Sequence, residues 1–404
     1  MHTKKHHLIT YLSAFTALIL AIAIIRYPQE AFDASLYGLR LWLDIVLPAL
    51  LPFFAMADIL MGLGVVHFIG ILLEPIMNPL FKIPGVGAFS FAMGLASGYP
   101  IGAKITGRLR RQNMISQIEA ERLVCLAHTA GPLFMAGAVA VGMFNMPELA
   151  LPIALSHYLA VILVGFIMRF HRGPEEKVQK NERNYASRAL RELVQARAAD
   201  GRPFGQLFSD AVRETFASML FVGGCVMIFS VLIRILQVSG IINIIGSVVA
   251  LILKPFNVSP AMVNAFSSGI FEITIGAQAA SAAEAPLFQK VFAASAIIAW
   301  SGFSVHTQVA AMLHGTDIRL WPYFLARALH SFFAAVFTII LLNPLMKVVK
   351  VSTESVWLKP TFLGILTTST KWCIAILAIL LLIGIVVTLT QRVIVFWVTT
   401  RKKN

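Results

Sequence analysis

Most of the side chains that could do chemistry inside the apolar stretches of this sequence gather where glycine or proline interrupts those stretches. There are four such places. The first is Ser97-Gly98-Tyr99-Pro100-Ile101-Gly102-Ala103-Lys104, and the second is His128-Thr129-Ala130-Gly131-Pro132. The third runs from Ser268 to Gln278 and holds Gly269, Glu272, Thr274 and Gly276. The fourth is Trp300-Ser301-Gly302-Phe303-Ser304-Val305-His306-Thr307-Gln308. Glycine and proline loosen a helix and free its backbone groups. The N–H ends of the resumed helices carry partial positive charge and hold anions without a formal cation. Hydroxyls, amides and imidazoles at the same breaks add directional hydrogen bonds. The chemistry expected is therefore binding of a small polar or anionic solute. The candidate residues are Ser97, Tyr99, Lys104, His128, Thr129, Glu272, Thr274, Gln278, Ser301, Ser304 and His306.

Each candidate has a plainer alternative. Lys104 can instead extend to the membrane surface beside Arg108. His128 can satisfy a broken backbone without touching solute, and Tyr99 can either stack on a flat ring or simply pack a hairpin tip. Ionisable groups at membrane depth are costly, which makes Glu272 and His306 functional candidates by default. Asp58, Arg234, Arg327 and His157 lie on continuous apolar spans and read as internal pairs or interface anchors. The sequence contains no HExxH, nucleophile elbow or Walker loop, and it points to no enzyme, metal site or cofactor. Any pumping then draws on an ion gradient or on a sink for the product.

The elements that must position these breaks are membrane helices. The chain has 404 residues, 58% of them hydrophobic and 13% charged, with a mean hydropathy of +0.80. A soluble domain averages about 45–50% apolar and about 25% charged, so lipid must cover much of this surface. The net charge of +14 sits largely in loops beside apolar spans and reads as topology, not as a nucleic-acid face. Cys125, Cys225 and Cys373 have no metal or disulfide spacing. About eight spans are expected, near 8–25, 41–63, 119–144, 149–170, 215–238, 290–313, 320–345 and 372–398. The tracts 66–103 and 241–278 each read as an interfacial helix followed by a re-entrant hairpin. The run after Lys4 and Lys5 lacks a cleavage pattern and reads as a retained first span. Basic loops then put the N-terminus inside, although 346–371, with four lysines, falls outside.

The halves repeat. Gly64, Gly70, Pro79 and Pro84 recur 176 residues later as Gly240, Gly246, Pro255 and Pro260. Gly94, Gly102, Gly131 and Pro152 then meet Gly269, Gly276, Gly302 and Pro322 at a slowly falling offset. Each copy holds three spans, an odd number, so the second copy runs upside down. Inverted repeats with broken segments in matching places point to a transporter's midplane site. The expected fold is an all-α polytopic membrane protein, each repeat with a re-entrant hairpin and a broken helix. The expected organisation is an N-terminal helix and connector (1–40), repeat 1 (41–170), a cytoplasmic linker with an amphipathic helix marked by Leu190, Leu193 and Val194 (171–213), inverted repeat 2 (214–345), and a C-terminal helix with a basic tail (346–404).

The run Val46-Leu47-Pro48-Ala49-Leu50-Leu51-Pro52-Phe53-Phe54, the Ser97–Lys104 turn and His306-Thr307-Gln308 carry a resemblance. The arrangement resembles the concentrative nucleoside transporters and the nucleoside-recognition gate domains. Over essentially its whole length it resembles the YlbJ-type sporulation integral membrane proteins of endospore formers. That resemblance implies a late-sporulation role, moving dipicolinic acid from the mother cell towards the forespore across the outer forespore membrane. It also implies a homo-oligomer, since related transporters resemble trimers. Nucleoside transporters place a Gln-Thr-Glu type cluster at the first hairpin tip, where this chain has Gly98-Tyr99-Pro100. Nucleoside transport stays as an alternative, as does a non-transporting sporulation scaffold. The residues leave open whether a coupling ion, H+ or Na+, takes part.

Overall fold

The computed structural model describes residues 2–172 and 185–354, and among these every regular element is helical. Helix α1 (His2–Arg26) presents Phe15, Leu18, Ile22 and Ile25 outward, as a lipid-facing helix does. The stretch expected to be a connector is itself helical. Helix α2 (Pro28–Leu41) starts at a proline, whose missing N–H costs nothing at that position. It runs through a π turn (Trp42–Val46) into α3 (Leu47–Gly62), making one apolar helix of 35 residues. Its buried stripe of Ala31, Ala34, Gly38 and Leu41 explains this: a Cβ on Gly38 would sit 3.0 Å from the Met227 Cα. Small residues let helix backbones approach this closely in lipid.

Next come α4 (Val65–Phe81), α5 (Gly87–Ser97), α6 (Ile101–Arg111) and α7 (Gln117–Ala127). A π-helical stretch (Phe134–Met143) and α8 (Ala150–Met168) complete the first half. The span expected over 119–144 is thus two pieces with extended backbone between them. Helix α9 (Tyr185–Asp200) lies in the linker and pairs Arg188 with Glu74 of α4. Its expected apolar stripe is not turned inward: Leu193 is half-buried and Leu190 and Val194 are exposed, while the buried residue of the helix is Ala189.

The second half follows the same order of elements. A long helix α10 (Phe204–Val238) leads to α11 (Ile241–Leu253), then to the half-helices α12 (Met262–Phe271) and α13 (Ile273–Ala282). Half-helices α14 (Leu287–Trp300) and α15 (Gly302–Met312) and the long α16 (Leu320–Glu354) close it. Gly64 before α4 and Gly240 before α11 are both left-handed, with φ of 81° and 78°, a conformation that glycine adopts without steric cost. Five of the described helices or helical runs are long and apolar enough to cross a membrane, because the hairpins and the first break are built from shorter pieces. The expected last span, 372–398, lies outside the described residues.

One end of the helix bundle is stapled by charge. Arg110 grips Asp317 with two bonds of 2.8 and 2.9 Å, and Arg111 donates to the carbonyls of Met312 and His314. Glu121 accepts from Arg319 at 2.6 and 2.8 Å and lies 2.7 Å from His171. Arg122, almost wholly buried, donates to the carbonyls of Lys82, His171 and Arg172, at the ends of α4 and α8. These groups come from loops expected on one membrane side.

Candidate functional site

Each hairpin tip touches the broken helix of its own half. In the first half, α5 ends at Ser97, Gly98 turns at φ 74° and α6 resumes at Ile101. A Cβ on Gly98 would lie 2.6 Å from the Gly131 nitrogen, so only glycine permits this approach. Residues 128–131 are extended because Gly131-Pro132 cannot continue α7. In the second half, Glu272 is extended between α12 and α13, and its Oε2 accepts the Ile275 N–H at 2.7 Å as an N-cap. Ser301 and Gly302, at φ 72° and 78°, break the following helix; a Cβ on Gly302 would meet Phe271 O at 3.0 Å.

The four interruptions surround one cavity of about 70 Å³. Its polar wall comes from Ser97, Tyr99, Glu272, Thr274 and Gln308; its apolar wall comes from Leu50 and Phe54 of α3, Phe134, and Val222 of α10. Solute pockets usually measure about 300–1,000 Å³, so the walls must part to admit a solute. Among the cavity-lining residues there is no lysine or arginine. Glu272 is buried, and its side chain caps the N-terminus of α13.

Of the eleven candidates, Ser97, Tyr99, Glu272 and Thr274 line the cavity. His128, Thr129, Ser301, Ser304 and His306 form a buried polar layer behind it. The Tyr99 ring lies 4.4 Å from His128, and the Tyr99 hydroxyl donates to Ile298 O at 2.9 Å. His306 Nδ1 is 2.9 Å from the Tyr323 hydroxyl. Thr129 Oγ1 lies 2.7 Å from His157 Nε2, which accepts the Ala130 N–H at 3.1 Å. Two candidates fall elsewhere. Lys104 is exposed, one turn into α6 where its long chain reaches solvent, and Gln278 is half-buried well along α13. Sequence reasoning left out Gln308 and Cys225, both on the cavity wall. Gln308 follows His306 by two residues in an already flagged segment; Cys225 has no polar break beside it to mark it.

Fold and site together define an all-helical, multi-pass integral membrane protein whose broken helices and hairpins share one cavity with a polar and an apolar wall. The chain matches the Gate family model, described as nucleoside recognition, over residues 43–167. It is 42% identical over 340 residues to the sporulation integral membrane protein YlbJ of Bacillus subtilis (strain 168), covering 83% of each chain. This chain belongs to the YlbJ family. Among solved structures it is similar to a form of CNTnw in an intermediate state, at 12% identity and TM-score 0.45, covering 84% of this chain and 87% of that one. A form of CNTnw in an outward-facing state matches at 12% identity and TM-score 0.42, with the same coverage.

Proposed function

We propose that this chain is a secondary transporter or facilitator of a small anionic solute. The observation that carries the reading is the convergence of four chain interruptions, two from each half, on one buried cavity. Solute sites in transporters lie where discontinuous helices from two repeats meet at mid-membrane. In this reading, 41–170 and 214–345 are inverted copies, 171–213 is a cytoplasmic linker, and the N-terminus is cytoplasmic. The stapling of basic loops to one end of the molecule supports that orientation.

The solute we propose is dipicolinate, moved from mother cell towards forespore in the cell membrane or outer forespore membrane. Family membership supports the sporulation setting, and Tyr99 on the cavity wall suits a flat ring. A dianion beside Glu272 calls for a cation in the same cavity, so we propose coupling to H+ or Na+. The test is dipicolinate uptake into liposomes under imposed pH or sodium gradients, with Glu272→Gln as comparison. Gln keeps an acceptor for Ile275 and so keeps the cap. Uptake that neither gradient supports, or that Glu272→Gln leaves at the wild-type rate, overturns this form of the reading.

A nucleoside is the second reading. The Gate match over 43–167 favours it, as does the hydrogen-bonding set of Glu272, Thr274 and Gln308. Competition of uridine or adenosine with dipicolinate uptake would support it.

A further inference from the structure

Arg327 sits on α16 within the apolar run Leu320–Met346, fully buried. Among the described residues it forms no ion pair. Its partners are neutral: Nη1 donates to His128 O at 2.7 Å and meets His330 Nδ1 at 3.0 Å, and Nη2 donates to Cys125 O at 2.7 Å. His330 donates its other N–H to His157 O at 2.9 Å, so it faces Arg327 as an uncharged acceptor. The carbonyls belong to the C-terminal end of α7, whose dipole offers about half a negative charge. The Tyr323 ring, 5.7 Å from the guanidinium carbon, adds a cation–π contact. The rest of the charge is unanswered, and Arg327 Nε has no partner. An unpaired buried cation is costly, and at membrane depth it marks a functional site.

The cation lies one ring layer behind the cavity. Tyr99 lines the cavity and stands 4.4 Å from the His128 ring; that ring is 5.3 Å from Tyr323. Neither nitrogen of His128 has a partner, although the residue is only 1% exposed. The His128 carbonyl thus ties a buried imidazole with both nitrogens unpartnered to an under-compensated guanidinium.

We propose that Arg327 and His128 form the anion subsite of the cavity, taking the carboxylate of a small planar solute when the Tyr99 ring swings off His128. The subsite rests on the transport reading above and names the solute class, a carboxylate. Its geometry also sets the solute's direction: the acid group turns past Tyr99 and His128 towards Arg327.

The test compares uptake of dipicolinate, of the monoacid picolinate and of neutral picolinamide into liposomes carrying the full chain. Wild type is expected to prefer either acid over the amide by about ten- to a hundred-fold, the span of a lost hydrogen bond to a charged group. Arg327→Gln is expected to bring that ratio near one. Arg327→Lys, which keeps the charge but loses the fork, is expected to slow uptake and keep the ratio. His128→Gln is expected to lower it. If Arg327→Gln does not insert as a folded protein, the decision falls on the other two: an unchanged ratio in His128→Gln overturns the proposal. Equal uptake of acid and amide by wild type overturns the subsite and leaves transport standing. No uptake of any of the three overturns both.

Discussion

Glycine substitutions in the first hairpin test whether its two legs are held against the break as tightly as the structure has them. Gly94 on α5 and Gly102 on α6 straddle the last residue of α7. A Cβ added at Gly94 would lie 1.8 Å from Ala127 O, and one at Gly102 would lie 2.1 Å from the same oxygen. Real Cβ contacts essentially never fall under 3.0 Å, so Gly94→Ala must open the contact by 1.2 Å (3.0 less 1.8). The obstacle is backbone, which has no rotamer to give. Overpacking of this kind costs about 1–3 kcal/mol. The matched control is Gly224→Ala on α10, where nothing lies within 4 Å and glycine is already disfavoured in a helix by about 1 kcal/mol. The assay is the thermal midpoint of monodispersity in detergent, with uptake in liposomes alongside. Gly94→Ala is expected to melt below wild type and to lose uptake, because the hairpin carrying Ser97 and Tyr99 moves by about 1 Å or more. Gly224→Ala is expected to melt at or above wild type with uptake unchanged. A Gly94→Ala protein as stable as the control would refute the close packing of hairpin and break.

Three further outcomes are expected. Arg122→Met takes the charged donor away from the part-buried carbonyl contacts at Lys82, His171 and Arg172; at about 1.5–3 kcal/mol for a hydrogen bond to a charged group, the same melting assay should show a loss larger than that of an exposed substitution. Asp317 is held below the ordinary carboxylate range, first by its hydrogen bonds to Arg110. Its contribution is therefore present above the ordinary carboxylate value and lost as pH falls through the lowered one. Melting midpoints should then show no Asp317-dependent change between pH 8 and pH 5, and since its side chain is half-exposed, Asp317→Asn should cost no more than about 1 kcal/mol at neutral pH. Tyr99→Phe removes the 2.9 Å bond to Ile298 O while keeping the ring on His128, and is expected to weaken solute uptake less than Tyr99→Ala, measured at one protein density.

The sequence was most informative where backbone demands are strict. Gly64 and Gly240 are left-handed at the same place in each half, and Gly98 and Gly302 make close backbone approaches between hairpin tip and break, so glycine and proline positions located the breaks. Hydrophobicity was less informative about continuity. The run 119–144 is apolar enough to read as one span, yet it breaks at His128–Gly131, whereas 26–40 carries charges and is nonetheless helical, with Ala31, Ala34 and Gly38 on its buried side and Gly38 against α10. The site was half legible. Polar residues at a break were found by their position, but which of them face the cavity depends on a rotation of about 100° per residue that spacing alone does not resolve. Arg327 read from the sequence as an internal pair or interface anchor, because its contacts are the C-terminal carbonyls of α7, nearly two hundred positions away, and no pattern along α16 records them.

The same contacts say which parts should move together. Hairpin 1 is joined to its break through Gly98 and Gly131, and its second leg is tied by Arg110 and Arg111 to the loop between α15 and α16. Glu121 on α7 grips Arg319 at the start of α16. Most of the cavity's apolar wall belongs to other helices, α3 and α10, which pack on each other; among the described residues no ion pair joins them to the hairpins. In the transport reading, a cavity this small opens by parting its walls, with the clamp intact. A short bis-methanethiosulfonate crosslink between Arg110→Cys and Asp317→Cys, spanning the ion pair it replaces, with the native cysteines replaced by alanine, is expected to leave uptake unchanged. Uptake that stops on crosslinking and returns on reduction would show that the clamp itself opens, and would assign the moving boundary to the loops instead of the cavity walls.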